Sequence, residues 1–251
     1  MLDLIRPTQG RIELLGRDVR RGSVDLRRRI GYLPGDVRLY EDLTGRQLLR
    51  YFASLRGLDD LREVETLAER FELELDRPIR ALSRGNRQKV GIVQAFMHRP
   101  ELLVLDEPTS GLDPLMQQEF YDLLRETSAD GRTVFLSSHA LPEVQRIAGR
   151  VGVIREGRLE LVESVEAVRA RAPARVEASF VELPPASAFD GLPGVREVER
   201  RGSVIVFALD GPVDPLVKAL AGFEVLGLDS HEADLEDVFL ALYREGSTSA
   251  P

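Results

Sequence analysis

The chain has 251 residues, of which 43% are hydrophobic and 30% charged, so it can bury a core and is not a disordered tail. It contains no cysteine, which excludes disulfides, thiolate zinc sites, iron–sulfur clusters and a cysteine nucleophile. The net charge of -8 argues against nucleic-acid binding through phosphate attraction, and no apolar run approaches the roughly 20 residues needed to cross a bilayer.

Strand and helix patterns alternate along the first hundred residues, which predicts an α/β sheet with helices on its faces. Thr44 is a residue type that favours a helix N-cap, and so is Ser83. In chain order, the patterns predict a strand at 10–16, a strand at 29–33, a helix after Thr44, a helix at 61–75 and a helix from Ser83 to about residue 97.

The segment 101–106 is a continuous apolar run that ends in two acids, as in a parallel strand buried on both faces. Pro114 stands where a helix can begin, since the first turn tolerates proline. A further strand is predicted at 133–136, and the Glu156-Gly157 turn predicts a hairpin of residues 151–154 and 158–161.

A linker is predicted at 170–174, so the chain divides into a core of residues 1–169 and a small α+β extension at 175–246. The core includes a helical subdomain at about 41–100. In the extension we expect strands at 176–183, 204–209 and 223–228, and helices at 213–220 and 235–243.

The most informative segment is LLVLDEPTSGLD, residues 102–113. Ligands of open α/β sheets bind at the carboxyl ends of strands, and this strand brings Asp106 and Glu107 to such an end. Neighbouring strand residues point in opposite directions, so the two acids should differ in role. One can hold magnesium and the other can polarise an attacking water. The alternative is that both acids only cap the next helix.

Two further features fit phosphate chemistry. Ser83 and Gly85 lie at a predicted helix N-terminus, where free amides and the helix dipole favour an anion, although a plain N-cap explains them equally. His139 follows the 133–136 strand, where its imidazole could hydrogen-bond a terminal phosphate. A structural histidine is the alternative.

These motifs, LSRGNRQK, then LLVLDEPTSGLDP, then FLSSH, resemble the nucleotide-binding subunits of ABC transporters in order and spacing. LSRGN resembles the signature motif, LLVLDE the Walker B motif, SGLD the D-loop, and His139 the switch histidine. The extension, which ends in LEDVFLALYR, resembles that of the bacterial subgroup serving ABC-2 type exporters. The resemblance implies the fold of a P-loop NTPase-type ABC ATPase core with a helical subdomain.

The resemblance also implies roles for individual residues. Asp106 would help to place Mg²⁺, Glu107 would activate water for attack on the γ-phosphate of ATP, and His139 would contact that phosphate. The family sandwiches ATP between two subunits, so a second group would face nucleotide on the opposite subunit: Ser83, Arg84, Gly85, Asn86 and Asp113. The region 41–80 would dock on an ABC-2 type transmembrane permease. The implied location is the inner face of the cell membrane, on the cytoplasmic side.

Two of the chain's segments depart from the family's motifs. Arg84 stands where the signature has a glycine and could add charge near the phosphates or simply be solvated, and Asn86 replaces its last glutamine. The glutamine of the Q-loop is expected after residues 31–34, where this chain has Gly35 and Asp36. A turn explains Asp36 better than a substitute ligand does.

A P-loop, Gly-x-x-x-x-Gly-Lys-[Ser/Thr], does not occur in the sequence, because the chain's two lysines, Lys89 and Lys218, are followed by Val90 and Ala219. The resemblance places that loop before Met1. We therefore expect the core to be incomplete at its N-terminus, the 102–105 strand to have an exposed edge, and the chain to be unstable and to bind ATP poorly alone.

Three functions remain open. The first is the ATPase subunit of an exporter, and the second is a non-catalytic truncated subunit that lends signature and D-loop residues to a full-length partner. The third is a DNA-repair or chromosome ATPase, which the absence of zinc modules, long heptads and positive charge disfavours. The sequence cannot identify the transported substrate, since specificity belongs to the membrane subunit.

Overall fold

The computed structural model describes residue 2 and residues 7–20, 23–170 and 174–231. The chain divides into two compact units, residues 1–139 and 140–251. The predicted boundary at 169–175 includes 171–173, which lie outside the described residues, so that boundary stays a prediction. The predicted helix at 235–243 also lies outside them. No helix in the described ranges is long and apolar enough to span a bilayer.

The helices of the first unit frame one parallel sheet. In chain order, they are α1 (Ser23–Arg28), α2 (Gly45–Arg56), α3 (Arg62–Arg70), α4 (Arg84–Phe96) and α5 (Pro114–Ala129). A 3₁₀ turn at Ile79–Ala81 precedes α4. The strands are β1 (Glu13–Leu14), β2 (Arg17–Asp18), β3 (Ile30–Leu33), β4 (Leu102–Asp106) and β5 (Thr133–Ser137).

Helix termini follow the predicted caps. Thr44 and Gln47 form a capping box, in which the Thr44 hydroxyl accepts from the Gln47 amide at 3.2 Å and the Gln47 side chain accepts from the Thr44 amide at 2.9 Å. Gly57 ends α2 in the left-handed conformation that favours glycine. Pro114 begins α5 as predicted, capped by Asp113. The predicted N-cap residues Thr44 and Ser83 are therefore confirmed.

Strand β4 is the centre of the sheet, so the predicted exposed edge of the 102–105 strand is wrong. It pairs in parallel with β3 on one side and β5 on the other, with Leu103 opposite both Gly31 and Val134. Its leucines are buried and Val104 is half-buried, as the apolar sequence indicated. Among the described strands, β3 and β5 are at the sheet edges, and Phe135 of β5 is 50% exposed.

Two other predictions are corrected. The strand predicted at 10–16 is instead a short hairpin of β1 and β2, because Leu15 and Gly16 both take positive φ and turn the chain. The helix predicted at 61–75 ends at Arg70. Glu72 then takes a φ of 49°, and the Leu73 amide returns to the Ala68 carbonyl at 2.8 Å. This turn ends the helix while keeping Leu73 buried.

Helix α4 packs directly on β3. A β-carbon at Gly91 would lie 2.7 Å from Leu33, and one at Gly31 would overlap the Ala95 carbonyl oxygen. Phe96 also meets Phe120 of α5 edge-to-face, with ring centroids 6.1 Å apart. These contacts hold α4 firmly beside the strands whose ends form the candidate site.

The second unit contains α6 (Leu141–Ile147), the antiparallel pair β6 (Arg150–Arg155) and β7 (Arg158–Ser164), and α7 (Val165–Arg169). The remaining strands are β8 (Ala174–Phe180), β9 (Val195–Arg201), β10 (Val204–Leu209) and β11 (Val225–His231), in the antiparallel order β11-β8-β10-β9. Helix α8 (Asp214–Leu220) packs on this sheet over a core that includes Phe180 and Phe207. The predicted hairpin and α+β pattern are confirmed in these residues.

His98 gives the first unit a pH-dependent stability. Burial and, to a smaller extent, the Arg56 guanidinium 3.0 Å from Nε2 together lower the pKa of His98 to about 4, against the opposing effect of the bond to the Ile30 carbonyl. The folded pKa lies below the usual value of 6.5, so this stability is full above pH 6.5 and is lost as the pH falls toward 4.

We therefore expect the free energy of unfolding to fall by about 1–2 kcal/mol more in the wild type than in His98→Gln between pH 7 and pH 5. Urea titrations at the two pH values measure this difference. Glutamine cannot titrate, so the comparison removes the contribution of the carboxylates that both proteins share. Equal losses in the two proteins would show that His98 is not held neutral.

Candidate active site

The two acids at the end of β4 face the end of β5. Asp106 is opposite Ser137 in the parallel register, and the Ser137 hydroxyl donates to Asp106 Oδ1 at 2.5 Å. The next residue, Glu107, has its Oε2 2.8 Å from Nδ1 of His139. The structure thus brings together the three residues predicted for catalysis and metal binding, at the carboxyl edge of the sheet.

Glu107 leaves the strand in an unusual conformation. Its φ is 46°, which costs a residue with a β-carbon free energy and persists only where neighbouring contacts enforce it. Its amide donates to the Ser137 carbonyl at 3.1 Å, and its own carbonyl accepts from the Ser110 amide at 3.1 Å. This bend turns the Glu107 side chain away from the path that strand alternation gives it and toward His139.

His139 is far more exposed than Glu107, with 87% of its side chain accessible against 31%. A proton on Nδ1 makes the contact a hydrogen bond from the ring to the carboxylate. A ring protonated on both nitrogens can donate to Glu107 and, through Nε2, to a phosphate oxygen. The pair therefore suits a site in which the imidazole bonds to a phosphate oxygen while the carboxylate stays beside it.

The signature-like residues lie at the N-terminus of α4. Ser83 is its N-cap, and the Ser83 hydroxyl accepts from the Asn86 amide at 3.2 Å. The first turn carries Arg84 but no acid, so its dipole is not neutralised by a carboxylate of its own helix. Gly85 lies against the D-loop-like segment, because a β-carbon there would be 2.5 Å from the Gly111 carbonyl oxygen.

Asp113 and Asp36 each have a local structural contact. Asp113 caps α5, with Oδ1 accepting from the Leu115 and Met116 amides at 3.1 Å each. The Asp36 carboxylate pairs with Arg38 at 2.8 Å. Beside it, a β-carbon at Gly35 would lie 3.0 Å from Asp106 Oδ2, so the end of β3 borders the acids as well.

Sequence reasoning missed Gln88, one turn into α4. It is 4% exposed, and its Nε2 donates to the Pro108 carbonyl at 2.8 Å, with the Glu107 carbonyl at 3.4 Å. Gln88 stands in the polar stretch RGNRQK at the start of α4, so the sequence gives no signal that its amide is buried and paired.

The side-chain oxygen atoms of Asp106 and Ser137 are ligands of the kind that Mg²⁺ binds. No group of three or more histidine, aspartate or glutamate residues that could hold a metal occurs in the part of the chain that the structure describes. This donor set fits an ion that takes one carboxylate from the protein and completes its shell with phosphate oxygens and water.

Comparison with known proteins shows the family of this chain. The family model described as "ABC transporter" matches residues 1–110. The bacitracin transport ATP-binding protein of Bacillus licheniformis is 31% identical over 98% of this chain and 83% of that protein. The chain belongs to the ABC transporter ATP-binding proteins. The family resemblance and the ABC ATPase fold predicted from the sequence are confirmed.

Other relatives and solved structures agree. The daunorubicin resistance ATP-binding protein of Streptomyces coeruleorubidus is 34% identical over 94% of this ABC protein and 76% of its own length. The Nod factor export ATP-binding protein I of Burkholderia pseudomallei is 32% identical, over 96% and 81%. A solved ATP-binding subunit of an ABC transporter superposes with a TM-score of 0.63 at 32% identity, over 68% of this chain and 73% of that one.

A second structure supports the fold alone. It is an ATP-binding cassette in a dimeric post-hydrolysis state with ADP and phosphate bound, 21% identical, with a TM-score of 0.59 over 65% of this chain and 76% of that one. None of these comparisons tests the individual site residues of this ABC protein. Their roles therefore remain predictions that rest on the geometry.

Proposed function

We propose that this chain is the ATP-hydrolysing subunit of an exporter and works with an ABC-2 type transmembrane permease at the cytoplasmic face of the cell membrane. The observation that carries hydrolysis is the contact of Glu107 with His139 at 2.8 Å, beside Asp106, at the carboxyl edge of the sheet. Export is supported by relatives whose names describe bacitracin transport, daunorubicin resistance and Nod factor export.

In this proposal, Glu107 accepts a proton from the water that attacks the γ-phosphorus of ATP. His139 holds Glu107 in place and donates to the γ-phosphate from its second nitrogen. Mg²⁺, when bound with the nucleotide, neutralises phosphate charge, and Asp106 with Ser137 would hold it. The bond from the γ-phosphorus to the oxygen that bridges to the β-phosphate breaks, and ADP leaves. The protein's own contribution is orientation of the water and electrostatic stabilisation of the γ-phosphoryl group during this step.

A second subunit completes the proposed site. The N-terminus of α4 presents Ser83, Arg84, Gly85 and Asn86 at an end where helix amides favour an anion. These residues, together with Asp113 of the D-loop-like segment, would contact nucleotide bound mainly by the opposite subunit. The charge of Arg84 would then be offset by phosphate rather than by an acid of its own turn.

The alternative proposal is a non-catalytic subunit that lends only these signature and D-loop residues to a full-length partner. It is favoured by one sequence observation, the absence of a Gly-x-x-x-x-Gly-Lys-[Ser/Thr] motif from the 251 residues. That loop supplies the backbone amides and the lysine that cradle phosphates. In the described sheet, such a strand could be added beside β3 or β5, rather than beside β4 as predicted from the sequence.

Binding of ATP to the chain alone tests the phosphate cradle. We expect a dissociation constant for Mg²⁺-ATP weaker than about 100 μM by isothermal titration calorimetry, because the sequence contains no P-loop motif to supply the amides and the lysine that cradle phosphates. Mixing the chain with a full-length ATP-binding partner should restore tight binding under either proposal. A low-micromolar constant for the chain alone would contradict this expectation.

A further inference from the structure

One side chain connects α4 to the loop that carries the proposed base. Gln88 lies on the buried face of α4, and its side-chain nitrogen contacts the carbonyl oxygens of Pro108 and Glu107 at 2.8 and 3.4 Å. Both partners are acceptors, so the amide nitrogen is the atom that faces them. Because Gln88 is 4% exposed, water cannot replace it as the donor without a change in packing.

The loop that Gln88 contacts is strained. Glu107 has a φ of 46°, and a residue with a β-carbon keeps that conformation only when its surroundings hold it. The Gln88 amide reaches the two carbonyls that directly follow this bend. Loss of the donor would leave the Pro108 carbonyl, which is buried with its residue, without its hydrogen bond and would favour relaxation of the bend.

The same face of α4 also touches the loop nearer the helix N-terminus. Arg84 Nη2 donates to the Ser110 hydroxyl at 2.9 Å, and Gly85 lies so close to Gly111 that a side chain would not fit. Gln88 follows Arg84 by four positions and Gly85 by three, so it lies on the same side of the helix as both. The first turns of α4 therefore pack directly against residues 107–111.

We propose that Gln88 is a positioning residue that holds Glu107 in its bent conformation. It would couple the N-terminus of α4 to residues 107–111, the loop that carries the proposed base. A displacement of α4 that follows contact of Ser83 with nucleotide on the opposite subunit would reach Glu107 through this amide. The inference rests on the proposed function, since it assigns Glu107 as the base. Gln88 itself contacts no substrate and acts through the main chain.

The first test is hydrogen–deuterium exchange of the full chain, read on peptides that cover residues 107–112. Gln88→Met keeps the length of the side chain and removes the donor. We expect it to accelerate exchange of the Ser110 and Leu112 amides, which bond to carbonyls of the same loop, about 5- to 10-fold. Gln94→Met makes the same change in the same helix and should leave this loop unaffected.

A second variant, Gln88→Asn, keeps a buried amide but shortens its reach by one methylene, and it should change exchange in the same direction. Wild-type exchange in both Gln88 variants would overturn the inference. This arm measures the loop directly, so it does not depend on whether Glu107 is the base.

The second test is ATP turnover by the transporter complex that contains this chain. A positioning role predicts that Gln88→Met lowers kcat at least 10-fold and changes KM for ATP less than 2-fold. A raised KM with unchanged kcat would overturn the inference. If Glu107→Gln leaves turnover unchanged, the proposed function fails, and with it the coupling to hydrolysis. If Glu107→Gln abolishes turnover and Gln88→Met has no effect, only the role of Gln88 fails.

Discussion

Glu107→Gln should reduce ATP hydrolysis by the transporter complex by about 100- to 10,000-fold, the usual contribution of a general base. The amide keeps the shape of the side chain and can still contact His139, but it cannot accept a proton from water. Binding of ATP should be little changed, because the substitution removes no phosphate contact. Steady-state phosphate release and nucleotide binding, measured on the same preparation, separate the two effects.

Glu101→Gln is the matched control for this experiment. Glu101 precedes β4 at the opposite end of the strand and pairs with Arg29 on the surface. The same chemical change there should leave turnover within about twofold, since exposed ion pairs contribute little to stability. Unchanged turnover in Glu107→Gln would favour the non-catalytic subunit, in which only the residues at the N-terminus of α4 and the D-loop act.

Gly31→Ala should lower the free energy of unfolding by about 3 kcal/mol. The added methyl group would overlap the Ala95 carbonyl oxygen and would lie 2.7 Å from Leu103 Cδ2 and 2.8 Å from Pro100 Cγ. A backbone carbonyl in the last turn of α4 cannot move aside as a flexible side chain can. Urea denaturation of the two proteins measures the difference.

Gly149→Ala provides the control, because a β-carbon at Gly149 meets no atom within 4 Å. It should change the free energy of unfolding by less than about 0.5 kcal/mol. If Gly31→Ala unfolds at the same urea concentration as the wild type, α4 does not pack on β3 as closely as described. In that case α4 would also hold residues 107–111 less firmly than proposed.

The strongest sequence patterns gave the elements that position the site. The run at 102–105 was recognisable as a buried parallel strand because its residues are apolar on both faces. Its neighbours were harder to assign, since pairing partners depend on contacts distant in sequence. The exposed edge was expected at β4 because the strand of the missing P-loop was expected to be absent beside it, whereas β3 and β5 lie at the two edges among the described strands. Strand β9, rich in charge, was not recognised because its alternation is weak.

The site itself was predictable only in part. Asp106, Glu107 and His139 follow strand ends, and parallel strands bring such ends together. The positive φ of Glu107 and the contact from Gln88 have no sequence signature, because both depend on how α4 lies against the loop. Asp113 illustrates the opposite case, since a residue expected to face nucleotide also serves as an ordinary helix cap.

A double-mutant cycle of Glu107→Gln and His139→Ala, measured as the kcat of the transporter complex, tests whether these two residues act together in hydrolysis. The two side chains are in contact at 2.8 Å, so they should act as a unit. We predict that each single variant loses at least 100-fold and that the double variant falls within about threefold of the slower single variant. Losses that multiply, or a His139→Ala variant with wild-type kcat, would contradict the claim that these residues act together on one phosphate.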